Sequence, residues 1–472
     1  MTSRRRIVVT GLGAVSAFGA GAARLFAATL AGHTAVRSVP GPDGNPRWLA
    51  AAAPGDLIPA ADGSLGGTDR HVQMARLAAQ EALQGAGLDA MAQEKGDRAG
   101  IYWGTGAGSA GTVESGYDRI HSEPPKRLPP LTVLHSMQNA AIAQLAVDYG
   151  LRGPQLAVSQ ACASSAAAIG EALLALRHGR ADMVLAGGSE ASLVAGQMMA
   201  WEALRVMAKA DGGPEGEACR PFDRQRRGLV LGEGAAAVVL ETEESARARG
   251  AAIIAELRGY GNAGDASHFT KPDPAGQRRA MENALADAGI DAERVGYVNA
   301  HGTATAVGDV SELRALEAVF GPRSAQVAVS STKGAHGHTL GAAGALEFVI
   351  TALALARGEL PPNANLREPE ATSVDLIAGT GRARAVSVAL SNSFAFGGSN
   401  VCLVLGAANR SWHAHPPGRG RRLGGGGHPR GARAFRLCRG PRGCGGTRPV
   451  LTGTDGLRPG PGGHRPPGHG RA

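Results

Sequence analysis

Residues 156–179 read LAVSQACASSAAAIGEALLALRHG. LAVSQ is an apolar run of strand length. After Cys162 come small residues and leucines at helical spacing, ending in Arg177, His178 and Gly179. Basic side chains suit the negative end of a helix dipole, and a glycine there supplies the left-handed stop. The stretch therefore reads as strand, tight turn and helix, with a cysteine on the turn. Residues 327–357 echo it: VAVSSTK, a small-residue turn, then an Ala-rich helix. Two such units in one chain are compatible with a duplicated fold.

Working outward, the same alternation runs along the body. Strand-like runs stand at 7–11 (IVVTG), 183–188 (MVLAGG), 235–241 (AAAVVLE), 295–300 (VGYVNA) and 401–405 (VCLVL), with helical candidates between them. That order predicts an α/β protein with buried sheets. Asp309 followed by Glu312 predicts a capping box opening a helix. The arginines and apolar run at the N-terminus superficially resemble a signal peptide. Glycines and a threonine interrupt that run, so it reads as a strand and a glycine turn. No uninterrupted apolar stretch is long enough to predict a membrane span.

The chain has 472 residues, 43% of them apolar, which suits two domains or one large duplicated one. Gly is abundant at 71, and aromatic residues make up 4%, so close backbone packing is expected rather than bulky aromatic layers. The net charge of +9 is uneven. Residues 410–472 hold 13 Arg, no Lys and one Asp, or +12, leaving −3 for residues 1–409. Whole-chain charge therefore gives no ground for a nucleic-acid-binding body. The segment 409–472, rich in Arg, Gly and Pro, has no means of burying a core and is expected to be disordered. We read it as a frameshifted or read-through end, with an RNA-binding tail as the alternative. Five scattered cysteines form no disulfide framework and no zinc-ribbon spacing, which fits a reducing cytoplasmic setting.

Four stretches carry candidate chemistry. Cys162 sits where a helix N-terminus would favour a thiolate, lowering the thiol from about 8.5; a buried structural cysteine is the competing interpretation. His301, in VNAHGTATAVGD, follows a strand and opens a Gly/Thr loop, where it either meets a ligand or bonds its own turn. In VSSTKGAHGHTLGAAGALE (329–347), Lys333 ends a strand, and His336 and His338 precede a helix holding Glu347. Metal binding would need further ligands at fixed spacing, so acid–base and electrostatic work suits these residues better. In LSNSFAFGGSN (390–400), Phe394 and Phe396 precede a Gly–Gly pair: either a strand end with a turn, or a flexible loop over an apolar pocket.

Taken together, the chain resembles the elongating β-ketoacyl-acyl-carrier-protein synthases, synthase II in particular, over nearly all of residues 4–407. The resemblance rests on VVTGLGAVSAFG, YGLRGPQLAVSQACASSAAAIG, ADMVLAGGSEA, ACRPFDRQRRGLVLGEGAAAVVLE, VNAHGTATAVGD, SSTKGAHGHTLGAAGALE and SNSFAFGGSN in that order. It implies a thiolase-like fold: two α/β halves, here 1–253 and 254–408, stacked as five αβαβα layers. It implies Cys162 as the acyl-accepting nucleophile. His301 and His338 would promote malonyl decarboxylation and stabilise the enolate. Lys333 would pair with Glu347, and the N–H groups of Cys162 and Phe396 would form an oxyanion hole. Phe396 matches the gating phenylalanine, Thr303 and Thr305 match residues holding the phosphopantetheine arm, and Phe394 lines the same loop. The motif runs Lys, three variable residues, Gly, His, so His338 is its histidine. His336 departs from the small polar or aliphatic residue usual there and receives no role.

The resemblance also implies no metal and no cofactor on the enzyme, with substrates carried on the phosphopantetheine of an acyl carrier protein. That carrier is acidic, which makes Lys126, Arg127 and Lys209 docking candidates, although for any single one of them an ordinary solvated surface charge is the preferred reading. A cytoplasmic homodimer is expected, a heterodimer being the alternative, with no nucleic-acid or membrane partner. The expected reaction is decarboxylative condensation of malonyl-carrier with a Cys-bound acyl chain in fatty-acid elongation. Alternatives are a type II polyketide or aryl-polyene ketosynthase, and a non-catalytic chain-length partner subunit, against which Cys162 argues.

Overall fold

Two sets of five strands share one plan. In a computed structural model, which describes residues 5–57, 68–88 and 96–408, the first set is β1 (Ile7–Ser16), β2 (Ala99–Gly104), β3 (Gln155–Val158), β4 (Met183–Glu190) and β5 (Gly234–Thr242). The second is β6 (Ala255–Gly264), β7 (Tyr297–Asn299), β8 (Ala328–Ser330), β9 (Val388–Ala395) and β10 (Ser399–Ala407). The spatial orders are β3-β2-β4-β5-β1 and β8-β7-β9-β10-β6, which is the same permutation twice. In each set three neighbours run parallel and the other two pairings are antiparallel. The sets join where Ile7, Val8 and Val9 pair with Leu257, Glu256 and Ala255. The expected tail, 409–472, lies outside the described residues.

Helices complete five layers. We label α1 (Arg70–Gly85), α2 (Ser164–Arg177), α3 (Pro274–Ala288), α4 (Ala306–Phe320) and α5 (Ala343–Arg357). Helix α1 covers the outer face of the first set, and α3 and α4 pack on the second. Helices α2 and α5 lie between, touching both sets and each other. The stretch Leu340–Arg357 is long and apolar enough to cross a bilayer, but 83% of it is buried here. It is the central core helix, not a span.

The glycine- and alanine-rich composition now has a physical reason. A Cβ on Gly11 or Gly13 of β1 would lie 2.0 Å from a backbone oxygen of α1, at Ala82 or Ala78. Gly259 and Gly261 of β6 meet Ala284 and Ala280 of α3 in the same way, at 2.3 and 2.0 Å. Strand and helix backbones touch at matching places in both halves, and both first strands shift register there. In the middle layer, a Cβ on Gly344 would sit 2.7 Å from Ala166. Small residues bring α2 and α5 together, and each large side chain buried around them contributes roughly 1.5–3 kcal/mol.

Helix ends follow local chemistry, with one correction. Helix α2 ends at Arg177, is capped by His178, and stops at Gly179 with φ +69°. The capping box expected at Asp309 and Glu312 does not form. Helix α4 begins earlier, at Ala306, and Thr305 is the N-cap, accepting from the Gly308 N–H. Asp309 and Glu312 then lie inside the helix, buried, where their carboxylates serve tertiary partners instead.

Candidate active site

Each half supplies its share from the chain that follows its parallel strands. After β3 the chain turns sharply through Ala161, at φ +47°, and delivers Cys162 just ahead of α2. The Ser164 hydroxyl fastens the turn, accepting from the Gln160 N–H and donating to the Ala161 carbonyl. After β7 comes His301, and the Glu312 carboxylate accepts the N–H groups of His301 (2.9 Å) and Gly302 (2.7 Å). After β8 comes a short helix, Lys333–His336, and then His338. His338 is fixed by its backbone: its N–H donates to the Val230 carbonyl at 2.7 Å, and its carbonyl accepts from Gly232.

Folding brings these residues to one point. His338 Nε2 lies 3.1 Å from Cys162 Sγ, across 176 residues of chain. The His301 and His338 rings meet edge to face, with centroids 5.3 Å apart. Lys333 is 0% exposed and donates to the His301 carbonyl, with its ammonium 3.4 Å from His301 Nδ1. It is ion-paired with Glu347, also 0% exposed. An ammonium facing Nδ1 makes that nitrogen an acceptor and leaves the His301 proton on Nε2.

Electrostatics are dominated by burial. Desolvation, aided by the Lys333 charge, holds both His301 and His338 well below the ordinary histidine range, so both rings are neutral. Burial raises Glu347 above the usual carboxylate range, with Lys333 opposing it. The thiolate expected of a cysteine at a helix N-terminus is not supported. Burial pushes the Cys162 thiol up to about 12, against opposing help from Lys333 and from the Phe396 N–H directed at the sulfur. Loss of hydration outweighs the local terminus, because the cysteine lies on the floor of a cavity, not on a surface.

That cavity has a volume of about 350 Å³. Cys162, His301 and His338 line it together with Thr303, Thr305, Phe394 and Phe396. The Thr303 and Thr305 hydroxyls are 3.0 Å apart. Phe394, next to last in β9, has its ring 6.2 Å from His301, and Phe396 opens the turn through Gly397 and Gly398 and stacks on Trp201. Lys126, Arg127 and Lys209 are exposed and are not among the residues lining this cavity. Its basic lining residues are instead Arg205, Arg226, Arg227 and Lys271. His336 points elsewhere: it is fully buried, bonds Thr332 through Nε2, and is not part of the lining.

Among the described residues one group has the geometry to hold a cation. Cys162, His301 and His338 offer three ligand atoms within 4.8 Å of one another. Elsewhere, Asn299, Ser391, Asn392 and Glu347 each carry a buried oxygen without a protein partner, and these are not grouped into a second site. Sequence reasoning missed Glu312 as a brace for His301 and missed Glu190 and Trp201 altogether. Only Glu190 left a signal, as an acid closing the apolar run MVLAGGSE.

Comparison with known proteins bears on the family and the fold. Residues 4–246 match the N-terminal domain of β-ketoacyl synthase and residues 254–367 the C-terminal domain. The chain is 39% identical over 410 residues to 3-oxoacyl-[acyl-carrier-protein] synthase 2 of Coxiella burnetii, covering 85% of this chain and 98% of that protein. A β-ketoacyl synthase crystal structure from Burkholderia phymatum superposes with TM-score 0.79 and 36% identity, covering 86% of this chain and 100% of that one. A type II PKS acyl-carrier protein in complex with its ketosynthase bound to the hexaketide gives TM-score 0.79 at 29% identity, with the same coverage. With both domains matched across most of its length, and a thiolase-like fold beneath them, this chain belongs to the β-ketoacyl synthase family.

Proposed function

We propose that the chain catalyses decarboxylative condensation of malonyl-acyl carrier protein with a Cys162-bound acyl chain, giving 3-oxoacyl-acyl carrier protein in fatty-acid elongation. The observation that carries this is the 3.1 Å contact between Cys162 Sγ and His338 Nε2, with His301 in the same cavity. Because the thiol is protonated at rest, its proton passes to His338 as sulfur attacks the acyl thioester. The oxyanion forms against the N–H groups of Cys162 and Phe396, and the departing pantetheine sulfur takes the proton.

Malonyl-carrier then enters the same cavity. Breaking its C–CO₂ bond leaves the electron pair as an enolate on the thioester oxygen. Neutral imidazoles stabilise that oxygen by donating from Nε2, His301 in the tautomer that Lys333 sets and His338 after its ring proton has moved from Nδ1 to Nε2. The enolate carbon attacks the Cys162 thioester, forming the new C–C bond as the C–S bond breaks, and the Cys162 thiolate that leaves takes up one proton from solvent, the proton that loss of CO₂ consumes overall. Lys333, held by Glu347, keeps both rings neutral and sets the His301 tautomer. Thr303 and Thr305 receive the pantetheine arm, and Phe394 and Phe396 form the wall and gate beside it.

The carrier docks against the basic residues lining the cavity, Arg205, Arg226, Arg227 and Lys271, with the exposed Lys126, Arg127 and Lys209 as further candidate contacts for an acidic partner. A homodimer is part of the same proposal. Edge strand β3 is largely exposed, and Tyr117, Val133 and Leu134 are 61%, 64% and 57% exposed. An open strand edge and exposed apolar side chains each favour pairing with a second copy. Cys162, Cys219 and Cys402 are free and buried, in keeping with a cytoplasmic location. The test is intact mass spectrometry with a medium-chain acyl-carrier, followed by malonyl-carrier. An acyl adduct on Cys162 and a carrier-bound 3-keto product two carbons longer are expected. Folded protein that yields neither would refute the proposal in favour of a partner subunit.

A further inference from the structure

Beneath Cys162 lies a carboxylate that the reaction above does not use. Glu190, the last residue of β4, is 0% exposed. Its Oε2 accepts the N–H groups of Gly106 (2.7 Å) and Gly341 (3.0 Å), and its Oε1 accepts the Ala107 N–H and the Ser192 hydroxyl, both at 3.1 Å. The Thr105 hydroxyl stands at 3.5 Å. Every hydrogen bond to this carboxylate comes from an N–H group or a hydroxyl. A buried charge without a bonded cation costs more than an apolar side chain of equal size, so packing alone does not account for it.

The loops it joins are the ones that matter for chemistry. Gly341 lies three residues beyond His338, and the intervening Leu340, at φ +48°, packs in the same apolar cluster as Cys162. A Cβ on Gly341 would sit 2.2 Å from the Gly106 nitrogen and 2.6 Å from the carboxylate. One on Gly106 would sit 2.9 Å from the carboxylate and 3.7 Å from the carbonyl oxygen of Ala161, the residue before the cysteine. We propose that Glu190 is a positioning residue, a clamp that ties the loop carrying His338 to the loop under Cys162 and so holds Nε2 against Sγ. Its charge raises the Cys162 thiol rather than activating it, which points to geometry as its role. The inference rests on the condensing reaction proposed above.

The test compares Glu190→Leu, Glu190→Gln and Gly341→Ala with the parent protein. Leucine keeps volume but removes every acceptor. Glutamine can set its carbonyl oxygen where Oε2 lies, keeping Gly106 and Gly341, and turn its amide toward the Ser192 and Thr105 hydroxyls, losing only the bond from the Ala107 N–H. In Glu190→Leu, kcat for condensation should fall about 100-fold with KM for malonyl-carrier within about threefold, because a misplaced reacting pair loses rate, not affinity. Iodoacetamide should alkylate Cys162 about tenfold more slowly, and Glu190→Gln should recover both values to within about fivefold. Parental kcat and alkylation in folded Glu190→Leu, or a Glu190→Gln protein as slow as Glu190→Leu, would overturn the clamp. Should Glu190→Leu not fold, Gly341→Ala decides: it forces the loops apart with the carboxylate in place, and parental rates there overturn the idea equally. If the parent protein condenses nothing, the proposed reaction fails, and alkylation rates alone still decide the clamp.

Discussion

Replacing His336 by methionine isolates the cost of burying an imidazole beside a catalytic site without touching the chemistry. The ring is 0% exposed, its Nδ1 has no partner, and burial pushes it down to about 3. In the unfolded chain it titrates near about 6.5. The folded-state value is thus depressed, and the unfolded state binds the extra proton. Stability is whole above about pH 6.5 and is lost as pH falls from there toward 3. Between pH 7.5 and pH 5.0 this one group costs the parent protein about 2 kcal/mol, a loss the methionine variant escapes. Urea denaturation of both proteins at the two pH values measures it. At pH 7.5 the variant should lie within about 1.5 kcal/mol of the parent, since the side chains are similar in volume. At pH 5.0 the difference should shift by about 2 kcal/mol in favour of the variant. A shift below about 0.5 kcal/mol would mean that His336 takes up a proton without unfolding, and the burial argument would be wrong. Condensing activity of the variant at pH 7.5 should stay within about threefold of the parent, because the ring lies outside the cavity wall.

Other outcomes follow from the same geometry. Cys162→Ala should fold and take up no acyl chain in a mass assay, while His338→Ala should lose condensation more than acyl loading; an acyl adduct on Cys162→Ala would move the nucleophile elsewhere. Lys333→Met should cost about 3–5 kcal/mol in urea because it strands the buried Glu347, and adding Glu347→Leu should recover most of that loss, whereas no recovery would mean that the pair is not coupled. Gly261→Ala puts a Cβ 2.0 Å from the Ala280 oxygen and should cost about 1–3 kcal/mol of stability, and unchanged thermal unfolding would show that β6 and α3 separate freely.

Much of this site is legible in the chain because its motifs are local. Cys162, His301, Lys333 and His338 each follow a strand end, and the strands, turns and helices around them are written in short-range periodicity and glycine placement. The echo between residues 156–178 and 327–357 also corresponds to matching pieces, β3–α2 and β8–α5. What was misread depended on distance. Asp309 and Glu312 have the spacing of a capping box, yet Thr305 takes the cap and Glu312 turns to the backbone of His301. A helix-terminus argument predicts a lowered thiol at Cys162, but burial by groups far along the chain raises it.

The sequence by itself determined the element order, the candidate side chains and the family, since each rests on patterns within a few turns of chain. Only the tertiary structure decided how those side chains meet and what state they are in. Cys162 and His338 come into contact across 176 residues, and Glu190 joins loops 84 and 151 residues away. Proton affinities depend on how much water the fold removes from each group. A linear pattern carries no measure of that desolvation, so it names the histidines but leaves their charge to the packing around them.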